Sequence, residues 1–591
     1  MSVPGTTSLA PGVSVLPIGP PGPHHHGNGP VALDLHGCGI VAGRFVTTTA
    51  DLQDLLDAWP TWSPDALGSS LRGVLTAYVW SPQEETLHVL PDPWGGLVHR
   101  YRSADIEILS SDVGAVVSAM RLLGLQPRRS LEFATEVAAM GSGGLTPSSY
   151  EDIEVLGVLQ RAHVRPDGVS IIDYSVASQV LTPFASYEEG LATVRAEIES
   201  NVAAVAASRV GGSRTVLAHL TGGIDTRMVL GATLAQGLTD QFAYLSLGPR
   251  SMPDRAIAER LAVEFGLTMT EFQGSDVLQV PSTLAEQARW PMEFSRGLLT
   301  AGPHGHRTPS DTVVLSGGFG GYMKGNYSKI LEPEDASLSR ESSARLTERL
   351  WGPKAFSADP QRGLYTVDVV DRRRGRFHAL RSAAHDRGLG PAEALDWLFI
   401  SVRNRYFLTE ATRTWNAYVH RFDPLYTLSG ARLALSLPRD TRATGTILLD
   451  LLRGWDERLP ALPFDYPRVT PAYEALRSPI APRAWSQPDA SPRYDRRPGP
   501  ATPAPALTVD PATPDVVARA RELQAPLWQV RDLPHVREDL RQVLADVDSS
   551  QLGEVFNQRQ LDGMLRWELK HRGLIRQVHH LYAALLWYAQ D

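Results

Sequence analysis

The residues best suited to chemistry lie between Leu220 and Thr226. Here the apolar run TVLAHL ends in Thr221-Gly222-Gly223-Ile224-Asp225-Thr226, and helical spacing follows. Two glycines let a backbone approach an anion closely and take a positive φ where needed. The N-terminus of the following helix offers unpaired N–H groups and a dipole that favours negative charge. Thr221 and Thr226 add hydroxyl donors. Asp225 would repel a phosphate directly, so its expected task is to hold Mg²⁺, which then bridges phosphate oxygens. The competing reading is a plain strand-to-helix turn, with Gly-Gly making the bend and Asp225 stabilising the helix start. A fully apolar strand, flanking hydroxyls and an acid at this place favour the phosphate loop. It is not a Walker loop, because G-K-[ST] is missing.

Other chemistry is restricted by composition. Lysine occurs only at positions 324, 329, 354 and 570, so a catalytic lysine has few places to be. The single cysteine, Cys38, rules out an internal disulfide and a Cys-based zinc site. The formal net charge of -8 gives no global basic bias toward nucleic acid. No charged-then-apolar leader and no apolar run of membrane length are present, so a cytoplasmic protein is expected. His24-His25-His26 sits in a Gly/Pro-rich stretch and reads as incidental. Arg403, Arg405 and Arg413 stand at near-helical spacing and could face phosphates or a carboxylate, or form a solvated helix face.

A chain of 591 residues exceeds what one core supports and predicts two or three domains. Residues 1–30 read as a disordered Gly/Pro-rich tail. Over 31–180, VALDLHGCGIVAGRFV, GVLTAYVWS, ETLHVLPD and IEILSSD read as strands, and DLQDLLDAW and GAVVSAMRLLG as helices. That mixture predicts an α+β sandwich. Over 187–485, apolar strands TVLAHL, QFAYLSL and TVVLSGG alternate with helices, which predicts a buried parallel sheet, with residues 340–460 mainly helical. Residues 486–515 read as an irregular Pro-rich linker, and 516–591 as amphipathic helices.

LTGGIDTR resembles the SGGxDS pyrophosphate loop of asparagine synthetases, β-lactam synthetases and lasso-peptide cyclases. YLSLGPRSMPDRAIAERLAVEFG, VVLSGGFGGYMKGNY, FDPLYTLSGARLALSLP and LLRGWDERLP resemble further segments of that family, in the right order. LRGVLTAYVWSPQEETLHVLPDPWGGLVHRY is similar to its glutaminase-like domain. The resemblance implies an α/β and α+β architecture: a degenerate glutaminase-like sandwich, then a parallel-sheet ATP-pyrophosphatase (adenine nucleotide α-hydrolase-like) domain with many helices. It implies ATP and Mg²⁺ as cofactors and adenylation of a carboxylate followed by amide formation. Leu220, Thr221, Gly222, Gly223, Asp225 and Thr226 would bind phosphate, with Asp225 on the metal. Leu247 and Gly248 would lie along the adenine, and Ser316 and Gly317 would contact the nucleotide.

Three departures from the family pattern are visible. Ser2 stands where glutamine-dependent members carry a nucleophilic cysteine, so glutamine hydrolysis is not expected. The family's Glu, Asp and Glu in the third-strand loop become Gly318, Gly321 and Tyr322, which removes one metal carboxylate. The family's catalytic lysine is best matched by Arg468, with Lys324 as the rival. The expected activity is an AMP-forming amide synthetase of specialised-metabolite or modified-peptide biosynthesis. Its partners would be small-molecule or peptide carboxylates and amines, with no nucleic acid and no membrane, and a homo-oligomer remains open. The alternative is a degenerate homologue that binds nucleotide or peptide without catalysis.

Overall fold

Strands buried on both faces need apolar side chains throughout, and strands with one wet face need alternation. Both kinds occur in the computed structural model, which describes residues 7–10, 13–15, 29–208, 215–247, 252–273, 283–300, 312–487, 489–498 and 512–590. In the N-terminal region, Arg72–Ser81 is nearly all buried and lies inside a six-stranded antiparallel sheet. It pairs with Val31–Val41 on one side and Thr86–Pro91 on the other. Gln160–Arg165 and Gly168–Asp173 extend one edge, and Arg44–Val46 ends the other. His99–Arg102, Glu107–Ser110 and Ile153–Val155 form a separate three-stranded sheet. The region is thus strands with packed helices, including Thr49–Ala58, whose N-terminus is closed by a Thr48–Asp51 capping box. Of the tail expected over 1–30, Thr7–Ala10 and Val13–Val15 pair antiparallel. His24 to His26 lie outside the described residues.

The second sheet is mixed into helices and is wholly parallel. Its strands are β1 (Thr215–His219), β2 (Ala243–Leu245), β3 (Thr268–Gln273), β4 (Thr312–Leu315), β5 (His420–Phe422) and β6 (Arg493–Pro498). Their order is β5-β4-β1-β2-β3-β6, and every neighbouring pair is parallel. The chain steps from β1 outward to β3 and then returns to place β4 on the other side of β1. The carboxyl ends of β1 and β4 therefore flank a topological switch point, where the loops diverge and leave a crevice.

Two strands depart from the sequence reading. The segment expected as an irregular linker supplies β6, whose register runs from Thr268↔Arg493 to Gln273↔Pro498. An edge strand tolerates the charges of RYDRRP and a proline at its end. Residues 499–511 lie outside the described residues. The largely helical stretch 340–460 contains β5, three residues long and paired with β4.

The C-terminal helices pack back onto the rest. The Arg572–Tyr588 helix lies against Leu131–Met140 and Leu284–Phe294. Trp587 is buried there, with the Arg129 guanidinium 4.7 Å from its ring centre.

Candidate active site

The site forms where α1 (Ile224–Ala235) leaves β1. Leu220 is fully buried and continues the sheet, its N–H donating to Leu245 O at 2.9 Å. Gly223 is the residue before α1, and no side chain caps the helix. The N–H groups of the first turn are left for a ligand or water. Neither Gly222 nor Gly223 takes a positive φ. Space is tight at 222, where a Cβ would sit 3.0 Å from Asp254 Oδ1 and 3.2 Å from Asp465 Cβ.

The loop holds its own shape. The Thr221 N–H donates to Thr226 Oγ1 at 3.1 Å, and the Gly223 N–H donates to Thr221 Oγ1 at 3.1 Å. The two hydroxyls share a hydrogen bond of 3.0 Å. That bond uses one of their two protons and leaves one to donate to a ligand. The Gly222 N–H donates to Asp254 Oδ1 at 3.1 Å. The donors left free at this turn are thus those of the helix start and one hydroxyl, because the Gly222 and Gly223 amides are engaged.

The loop after β4 lies directly against this turn. Ser316 N–H donates to Phe422 O at 3.0 Å, and its hydroxyl accepts from Arg421 Nη2 at 3.2 Å. A Cβ on Gly317 would be 2.6 Å from the Asp225 carbonyl carbon and 2.7 Å from Thr226 N. Gly318 N–H donates to Asp423 Oδ1 at 2.9 Å, and a Cβ at 318 would collide with that oxygen at 2.5 Å. Asp423 also accepts from Thr412 and Arg421, and it is buried. A Cβ on Gly321 would meet Phe399 and Asn326 at 2.8 and 2.9 Å. The space for side chains at 318 and 321 is therefore filled by other groups.

Two features of the loop position its cation. Tyr322 is buried, and its hydroxyl bonds to Leu425 and Thr427, which makes it a structural anchor. Its neighbour Lys324 then reaches Asp225, with Nζ 2.7 Å from Oδ2. The other carboxylate oxygen of Asp225, Oδ1, is buried without a hydrogen-bond partner.

Arg468 arrives by a longer route. Arg227, on α1, is fully buried. Its guanidinium donates to Leu459 O at 2.8 Å, Leu462 O at 2.9 Å and Pro463 O at 2.6 Å, and stacks 3.7 Å over Phe464. Burial pulls its pKa down to about 9. Asp465 N–H donates to Gly222 O at 3.0 Å, which ties the same segment to the loop. Arg468 follows, paired with Asp465 at 3.0 Å and stacked 3.4 Å over Tyr466.

Lys324 and Arg468 line one cavity of about 440 Å³, together with Lys329, Ile224, Asp440 and Tyr466. Burial, with the positive charges of Lys324 and Arg468 opposing Asp396, holds the Lys329 amine below its ordinary range. Both expected catalytic candidates thus line one cavity, which Ile224 joins to the start of α1. Lys329, Arg227, Asp254, Asp465 and Asp423 were not singled out by sequence. The only local signal was the scarcity of lysine, which could have marked Lys329.

The remaining site residues divide. Leu247 follows β2 and is partly exposed, and Gly248 lies outside the described residues. Arg403, Arg405 and Arg413 do not face the loop. Arg405 is buried and donates to Gly96 O and Leu156 O of the N-terminal region. Arg413 pairs with Glu410 at 2.7 Å, and Arg403 stacks 3.5 Å over Phe407.

Asp225 offers one free carboxylate oxygen, the other being on Lys324, while Asp254, Asp423 and Asp465 are engaged elsewhere. Among the described residues no group of three His, Cys, Asp or Glu is placed to hold a metal ion. These residues do not fit a chain-ligated Mg²⁺, which wants several oxygens in octahedral array. No helix among the described residues is long and apolar enough to cross a membrane. No protein-family model matches this sequence, and no curated protein matches it.

Proposed function

We propose that this chain is an ATP-dependent, AMP-forming carbon–nitrogen ligase of the asparagine-synthetase-like kind. It would activate a carboxylate by adenylation and couple it to an amine in specialised-metabolite or modified-peptide biosynthesis. Under this proposal the antiparallel N-terminal region is a glutaminase-like sandwich without glutaminase function, and the parallel-sheet region is the ATP-pyrophosphatase domain. One observation carries the reading. An uncapped helix start at a parallel-sheet switch point stands beside a cavity lined by Lys324, Lys329 and Arg468. That combination suits a polyanion better than a neutral ligand.

ATP is the proposed cofactor, and it supplies the phosphoric anhydride whose cleavage drives the reaction. Any Mg²⁺ belongs to the proposal only as an ion carried on the triphosphate. The chain's own tasks follow from its residues. The first turn of α1 and the hydroxyl proton of the Thr221–Thr226 pair bind phosphate oxygens. Lys324, Lys329 and Arg468 stabilise negative charge as it moves toward the departing pyrophosphate. Asp465 and Tyr466 restrain the Arg468 guanidinium, so little ordering is left for the moment of reaction.

The test is ATP/pyrophosphate exchange across a panel of carboxylic acids. Exchange above background with at least one acid, lost in Arg468→Ala, is the expected result. No exchange with any acid, together with the same background in both proteins, would overturn the ligase. A non-catalytic homologue that binds nucleotide is the second reading, favoured by the Lys324–Asp225 pair in a place where a metal was expected. It predicts ATP binding with no AMP released under any acid and amine tried.

A further inference from the structure

We propose that Lys324 is the resident cation of this site, so that polyphosphate binding here does not require a divalent metal. The inference rests on reading the Leu220–Thr226 loop as a polyphosphate site. It departs from the expectation that Asp225 holds Mg²⁺.

A carboxylate beside an anion site must be neutralised or it repels the ligand. Lys324 does this directly, with Nζ 2.7 Å from Asp225 Oδ2. The ammonium has three donors and spends one on Asp225, so others can reach phosphate oxygens. The pair is partly buried, the Lys324 and Asp225 side chains being 16% and 33% exposed, so its electrostatics are screened somewhat less than on an open surface.

At Gly318, Gly320 and Gly321 there is also no room for a second carboxylate. A Cβ on Gly320 would lie 2.9 Å from Asp225 Oδ1, the buried oxygen of that carboxylate that has no hydrogen-bond partner. Side chains at Gly318 and Gly321 would collide with Asp423, and with Phe399 and Asn326. Asp423 cannot turn toward Asp225 without releasing Gly318 N–H, Thr412 and Arg421. The geometry replaces a metal bridge between two acids by an ion pair between one acid and one lysine. Lys329 and Arg468 supply further positive charge in the adjoining cavity, against the single lining acid Asp440.

The experiment is titration calorimetry of the full chain with inorganic pyrophosphate, once in EDTA and once in excess Mg²⁺. Wild type is expected to bind in EDTA with an affinity within about threefold of that in Mg²⁺, because the chain's own lysines and arginine carry the contact. Lys324→Met is expected to weaken binding in EDTA about tenfold or more, since it exposes the ligand to an unneutralised Asp225. Asp225→Asn should bind in EDTA at least as well as wild type, because Lys324 keeps its charge and loses its competitor. If Lys324→Met does not fold, the Asp225→Asn and wild-type titrations decide alone. Wild-type binding that appears only with Mg²⁺, or is lost in Asp225→Asn, overturns the inference and leaves the ligase proposal standing. No pyrophosphate binding in either buffer overturns the inference, and exchange activity then separately decides the ligase proposal.

Discussion

The Lys324 ammonium and the Asp225 carboxylate, 2.7 Å apart, join the loop after β4 to the helix after β1. These two loops flank the switch point of the parallel sheet, and Gly317 packs between them against the Asp225–Thr226 backbone. One ion pair therefore fixes both the charge and the spacing of the proposed anion site. Isolated exposed ion pairs contribute little to stability, so the significance of this one lies in placement.

Gly317 tests that spacing. An alanine methyl would lie 2.6 and 2.7 Å from two backbone atoms, which cannot rotate away as a side chain can. The loops must separate by several tenths of an ångström, at a cost of about 1–3 kcal/mol. Gly317→Ala is expected to keep its far-ultraviolet circular dichroism, lower Tm by a few degrees, and lose ATP-dependent thermal stabilisation. Gly223→Ala is the control. Its φ is -77° and its added Cβ would approach only Thr221 Oγ1, at 3.3 Å, so its Tm should hold. Equal Tm and equal ATP response in Gly317→Ala and wild type would sink the packing argument.

Arg227 carries the second prediction. Its planar guanidinium bonds three carbonyls of the 459–463 segment and stacks on Phe464. A lysine keeps the charge but lacks the fork and the flat face. Arg227→Lys should cost about 2–4 kcal/mol, because buried carbonyls lose charge-assisted partners. The same change loosens the segment that bears Arg468, so pyrophosphate affinity should fall as well. Denaturant unfolding and calorimetry on one protein preparation measure both effects. A stability loss with unchanged pyrophosphate affinity would show that the anchor does not position Arg468.

The sequence made the core of this site readable, and the reasons are local. Val216–Ala218, the centre of TVLAHL, is apolar and buried because β1 is the inner strand between β4 and β2, and such runs need no partner to be recognised. The glycines at 222 and 317 mark close backbone approaches, although neither their contacts nor their φ values could be foreseen. What stayed hidden depends on residues distant in the chain. β6 looked like a linker because an edge strand can be charged and proline-ended, and only β3, more than 200 residues away, gives it a partner. Arg405 read as a residue that could face phosphate or a carboxylate, or lie on a solvated helix face, and instead donates to carbonyls of the N-terminal region. Asp423 lies in FDPLYTLSGARLALSLP, where the sequence gives it no separate role, and its contact with Gly318 appears only once β5 places it there.

The contact between the N-terminal region and the parallel-sheet region should respond to pH through Asp92. Its carboxylate is buried, accepting from Gly95 N–H at 2.7 Å and from the Tyr426 hydroxyl, while Oδ2 has no partner. Burial raises its pKa from an ordinary 3.8 to about 6. The folded state thus disfavours the ionised form relative to the unfolded chain. The stability that this group lends is complete below about pH 3.8 and is lost as pH rises through about 6. A shift of this size corresponds to about 1–3 kcal/mol of penalty at neutral pH and above. Asp92→Asn keeps an acceptor for Tyr426 and Gly95 but cannot ionise. It should match wild type in denaturant midpoint near pH 3.5, exceed it progressively as pH rises to about 6, and keep a constant margin from there to pH 8. A constant difference between the two proteins across that range would show that Asp92 is already charged in the folded state at low pH, or that its ionisation does not oppose folding.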